Sequence, residues 1–172
     1  MRCVLHFLLV TLLSYSGRCE ELLGITAPGK QVAIAAGKDG LVEDVLIAPG
    51  GVVMAGQTLV TTSAETISAP VSGTVSKILK APGNAARAQE KIVELVDLDT
   101  LIVRVYASPS LRRSLQMNRQ IGVQCGGVFK TGKITFADAS NDPATGLFVA
   151  WIRIENADRK LIPGQNASVT IQ

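Results

Sequence analysis

Histidine occurs once in the 172 residues, as His6, inside a stretch that reads as a leader. Without a second histidine, the rest of the chain can build neither a zinc site of His and carboxylate type nor a His-activated nucleophile. Cysteines stand only at positions 3, 19 and 125, which excludes a disulfide framework. Cys125, alone once a leader is removed, reads as a small apolar core residue. No glycine-rich loop followed by lysine is present, so nucleotide chemistry is excluded. Lysine is also missing from the whole stretch between Asp39 and Ser76.

Apolar residues make up 47% of the chain and charged residues 18%, enough for a packed core and too few charges for disorder. Met1-Arg2 followed by the apolar run Val4 to Leu13 has the dimensions of a signal peptide and is short for a membrane span. Ser14 and Ser16 permit cleavage after Ser16, and Gly17-Arg18-Cys19 permits it after Cys19. Lipidation at Cys19 is the rival, which Arg18 fits poorly. Residues 1–19 carry Arg2 and Arg18 and no acid, leaving 17 − 2 = 15 basic against 14 acidic groups. That balance gives no electrostatic footprint for nucleic acid.

What the chain does contain is a duplication. Gly40-Leu41-Val42-Glu43-Asp44-Val45-Leu46-Ile47-Ala48-Pro49-Gly50 returns as Gly73-Thr74-Val75-Ser76-Lys77-Ile78-Leu79-Lys80-Ala81-Pro82-Gly83, an offset of 73 − 40 = 33 residues. Ala55/Ala88, Leu59/Ile92 and Val60/Val93 extend the match. Each half predicts strands joined by a Pro-Gly type II turn, where glycine supplies the positive φ. Each is too small to bury a face alone, so the two should share a sandwich core of Val42, Val45, Ile47, Val75, Ile78 and Ile92.

Elsewhere the pattern is again short strands with turn punctuation. Val32–Ala35 reads as the first strand, and Asp97-Leu98-Asp99-Thr100 as a hinge-like connector before a strand at Leu101–Tyr106. One helix is predicted next, with Ser108 as N-cap, Pro109 at its first position, Leu111 and Leu115 on one face and Asn118 ending it. Strands are expected at Ile121–Cys125, Gly132–Ala137, Leu147–Glu155 and Ala167–Ile171. Six strands and one short helix over an open end fit a small closed barrel. In the Leu147–Glu155 strand, Phe148, Ala150, Ile152 and Ile154 should point inward, leaving Leu147, Val149 and Trp151 outside.

Read together, Gly40 to Leu59, Ile67 to Val75, Leu101 to Val123, and Asn156 with Leu161-Ile162-Pro163-Gly164-Gln165 resemble the periplasmic adaptor, or membrane fusion, proteins of bacterial exporters (HlyD-like). The resemblance implies an all-β protein in which a lipoyl/biotinyl-like β-sandwich is inserted into a six-stranded β-barrel with one short helix. The boundaries it implies are signal peptide 1–19, N-terminal barrel strand 20–36, lipoyl-like domain 37–96 and barrel 97–172. It further implies a non-enzymatic periplasmic subunit, partnered by an inner-membrane transporter of RND or ABC type, assembled as several copies, and reaching an outer-membrane channel at most indirectly. The family's long α-helical hairpin between the lipoyl halves is missing: only Thr61 to Thr66 separates Val60 from Ile67, and six residues cannot hold two helices. The alternative is a periplasmic ligand-binding or assembly-accessory module built from the same folds.

A lipoyl-type sandwich could instead carry biotin or lipoate on a lysine at its tip. Thr61 to Thr66 has none, so no cofactor is expected. Asp97 and Asp99 form a carboxylate pair, read as solvated connector acids, and Met54 and Met117 read as packing residues rather than soft-metal ligands. The candidate partner contacts are Thr61, Thr62, Ser63 and Glu65 at the tip, Arg112, Arg113 and Arg119 on the helix and beyond it, and Trp151 on the barrel wall.

Overall fold

The computed structural model describes residues 20–171. The leader, its cleavage and Cys19 lie outside them. The strands are β1 Glu20–Ala35, β2 Gly40–Val45, β3 Val52–Val53, β4 Thr58–Thr62, β5 Thr66–Ser68, β6 Gly73–Ile78, β7 Ala85–Ala86, β8 Lys91–Ala107, β9 Gln120–Cys125, β10 Val128–Ala137, β11 Phe148–Glu155 and β12 Asn166–Ile171.

The duplication is structural as well as sequential. Moved 33 residues along the chain, β2 becomes β6, β3 becomes β7, β4 becomes the start of β8, and the end of β1 becomes β5. Pairing follows the same shift, giving one four-stranded layer β5–β4–β2–β7 and a second, β1–β8–β6–β3. Hydrogen bonds at the edge of each layer repeat too. Val42 N–H donates to the Asn84 carbonyl at 2.9 Å, as Val75 N–H donates to that of Gly51 at 2.8 Å. Even a side-chain bond recurs: Gln57 Oε1 accepts from Met54 N–H, and Glu90 Oε2 accepts from Arg87 N–H, both at 3.0 Å. Between the layers lies one core in which Val42, Leu59, Val60, Val75, Ile92 and Val93 are all but inaccessible.

Gly50 and Gly83 take φ of 81° and 85° in the two Pro-Gly turns, as type II geometry demands. At the next pair of turns the halves part company. Gly56 has φ 83°, but its counterpart is Gln89, held at φ 65°. A side chain there is strained, so Gln89→Gly should stabilise the fold by about 0.5 kcal/mol after the added freedom of the unfolded chain is counted. A rise in the urea midpoint at unchanged slope would register it. Beside this turn the Lys80 ammonium sits 2.6 Å from the Glu90 carboxylate. That hydrogen bond, with the Arg87 N–H, holds the carboxyl below its usual range.

The remaining strands close a barrel in the order β1–β12–β9–β10–β11–β8, with β8 returning to β1. Along β11 burial alternates as the side-chain period of two requires: Phe148, Ala150, Ile152 and Ile154 are buried, Val149 and Trp151 only partly. Leu111, Leu115 and Leu161 join this second core, and Cys125 is buried in it with its thiol pushed up by desolvation.

Strands β1 and β8 belong to both cores. They pair from Gly24↔Val105 to Pro28↔Leu101 on the barrel side, then from Lys30↔Asp97 onward in the sandwich. The expected connector at Asp97–Thr100 is therefore no separate linker; it is a bulge within β8, where Leu98, Asp99 and Thr100 face only Gly29. The Leu98 and Asp99 carbonyls lie at this interruption, and both are taken up by Asn156. Its Nδ2 donates to Leu98 O at 2.8 Å and its backbone N–H to Asp99 O at 2.7 Å. The same side chain donates to Leu161 O and accepts from Leu161 N–H, both at 3.0 Å, and Asn156 is fully buried. On the other side, the Pro163-Gly164 turn hydrogen-bonds to buried Thr26 of β1 through Gly164 N–H (2.7 Å) and the Gln165 carbonyl (2.9 Å).

Two expectations about elements need correction. The first strand begins at Glu20, well before Val32, because Pro28-Gly29 sits at the irregularity rather than in a turn that ends the strand. The expected helix is a single 3-10 element, Pro109–Arg113: Ser108 makes no side-chain cap and no acid occupies the first turn. Leu111 and Leu115 are buried nonetheless, and Asn118 does take a positive φ of 68°.

Candidate docking surfaces

The tip between β4 and β5 is a tight turn whose polar groups serve the sandwich itself. Thr62 is buried, and its Oγ1 donates to Glu65 O while accepting from the N–H groups of Ala64 and Glu65. Ser63 is exposed, but its Oγ accepts from Leu41 N–H at 3.0 Å. The Glu65 carboxylate accepts the N–H groups of Gly37 (2.5 Å) and Lys38 (3.1 Å), tying the tip to the β1–β2 turn. Thr61 is half-buried in β4. What the tip offers a partner is a small rigid knob with few free polar groups.

Arg112 differs from the exposed helical arginine expected of it. Its guanidinium lies 4.4 Å from the Phe148 ring centroid and donates to Asn141 Oδ1 at 2.7 Å and to the Asp138 carbonyl. It pins the β10–β11 loop over the barrel end. Arg113 is exposed beside it, and Arg119, also exposed, donates to Ser114 O at 3.2 Å. Trp151 is half-buried on the outer wall, tilted against Phe136 at 4.8 Å between centroids, with the Arg104 guanidinium 5.7 Å from its ring. Those two neighbours flank it. The candidates thus occupy three places: the sandwich tip, the barrel end and the barrel wall.

Asp99 pairs with Arg159 at 2.9 Å and Asp97 accepts the Asp99 N–H, so the two acids stabilise the bulge region. Met54 and Met117, expected to pack, are exposed at 72% and 60%. Among the described residues no group of three or more His, Cys, Asp or Glu could hold a metal ion, and no helix is long and apolar enough to cross a membrane. Sequence reasoning missed Leu23, Ile25 and Tyr106, large apolar residues exposed on the barrel wall beside Arg104. The alternation Leu23-Gly24-Ile25-Thr26 was the available signal.

A duplicated sandwich whose layer runs on into a six-stranded barrel is the adaptor, or membrane fusion, fold. No family model matches the sequence, and no curated protein is similar to it. Solved structures are similar. ZneB from Cupriavidus metallidurans superposes with a TM-score of 0.72 at 13% identity, over 89% of this chain and 97% of that one. A MacA–MexA chimera containing the Pseudomonas aeruginosa MexA α-hairpin domain gives 0.77 at 12%, over 90% and 78%. The membrane fusion protein Spr0693 from Streptococcus pneumoniae R6 gives 0.67 at 12%, over 89% and 98%. At such identities the likeness establishes the fold.

Proposed function

We propose that the chain is a non-enzymatic adaptor subunit of an export system, held in the periplasm against an inner-membrane transporter of RND or ABC type. The observation that carries this is the shared β1–β8 ribbon, which joins sandwich to barrel in a chain that superposes over 89% of its length on a membrane fusion protein. The compact β4–β5 turn bears on the partner list. Where a helical hairpin would project, the chain turns within Ser63-Ala64, so any outer-membrane channel is reached through another component. The test is cross-linking in the native host followed by affinity purification of the tagged chain. Specific recovery of one inner-membrane transporter, absent from an untagged control, is the expected result. A chain that purifies alone with a bound small molecule overturns the reading in favour of a ligand-binding module.

A further inference from the structure

One face of the barrel wall is left uncovered by everything described so far. Along β1, Glu21, Leu23 and Ile25 face outward; Leu23 is 75% and Ile25 57% exposed. Ile25 lies opposite Arg104 of β8, and one step beyond the Gly24↔Val105 pair Leu23 stands beside Tyr106, itself 59% exposed. Leu23, Ile25, Arg104, Tyr106 and Asn166 line a shallow groove of about 470 Å³. Among the described residues neither the Glu21 carboxylate nor the Arg104 guanidinium has a hydrogen bond or ion pair; Arg104 only approaches the Trp151 ring.

We propose that this face is a two-fold interface between two copies of the chain, in which Leu23, Ile25 and Tyr106 of each copy pack against their equivalents and Glu21 of each pairs with Arg104 of the other. The argument is self-complementarity, the property an isologous contact requires. Glu21 precedes Leu23 by two residues along the strand, and Arg104 lies level with Ile25, two residues beyond it, each about 7 Å from the Leu23 level. A two-fold axis crossing the strands at Leu23 and Tyr106 brings each Glu21 to the level of the other copy's Arg104. Facing sheets pack about 10 Å apart, a gap that glutamate and arginine side chains span together. The composition also fits: an aliphatic and aromatic centre carrying Tyr and Arg, with half-buried Trp151 at its rim. A lipid surface fits less well, because Glu21 would face its anionic headgroups.

The proposal stands apart from the adaptor reading, since it needs no transporter. The chain purified from the periplasm of expressing cells is measured by sedimentation equilibrium, with the emission of Trp151, the single tryptophan, as a second signal. A dimer is expected. Arg104→Glu and Glu21→Arg should each raise its dissociation constant at least about tenfold, and the double swap should restore it. Leu23→Asp should give a monomer with an unchanged circular dichroism spectrum. A wild-type monomer up to the solubility limit, a dimer indifferent to Arg104→Glu, or a double swap that fails to rescue overturns the proposal. The rescue separates a pairing role from a folding defect, because a variant that merely unfolds is not restored by a second charge reversal.

Discussion

Asn156→Ala is expected to cost about 3 kcal/mol of folding stability, because two buried backbone groups and a half-buried one lose their partner at once. The Leu98 and Leu161 carbonyls and the Leu161 N–H all meet this one side chain, which is itself fully buried. Asn156→Asp should be no milder despite its shape. It removes both amide donors and sets a carboxylate against two carbonyls. Urea denaturation of both variants checks this, and the wild-type midpoint retained by either would show that the bulge has another source of support.

Leu59→Ala and Ile92→Ala should each cost about 2–5 kcal/mol, and the two values should agree within about 1 kcal/mol. Both side chains are fully buried, and the 33-residue shift carries one onto the other within the same core. Followed through Trp151, which lies on the barrel rather than in the sandwich, both variants should move the whole transition. The reason is that β1 and β8 supply residues to each core, so the sandwich cannot melt while the barrel stays folded. A Trp151 transition that ignores Leu59→Ala would mean two separately folding units.

Much of this fold could be read in advance wherever a local rule sufficed. The Pro-Gly turns at Pro49-Gly50 and Pro82-Gly83 announce themselves because proline and glycine have few alternatives, and the alternation of Phe148 to Ile154 exposes its inner face directly. The misreadings share a different cause. Asp97 to Thr100 is polar and resembles a linker, yet Asn156, 58 residues beyond Leu98, supplies the donors that let it remain in a strand. Arg112 looks like a solvated arginine until Phe148 and the Asp138–Asn141 loop arrive from elsewhere in the chain. Gln89 shows no turn signal at all; only its equivalence to Gly56 betrays the positive φ. The exposed pair Leu23 and Ile25 was hidden by Pro28-Gly29, which reads as the end of a segment and is instead an interruption inside one.

The two long strands common to both cores have a mechanical corollary. Force applied at the Ser63 knob passes through the Glu65 carboxylate into the β1–β2 turn, and from there along the hydrogen-bonded β1–β8 ribbon into the wall of the barrel, with the bulge at Leu98–Thr100 on its way. A neighbour that twists one end of this molecule therefore turns the other, and Asn156 sets how stiffly.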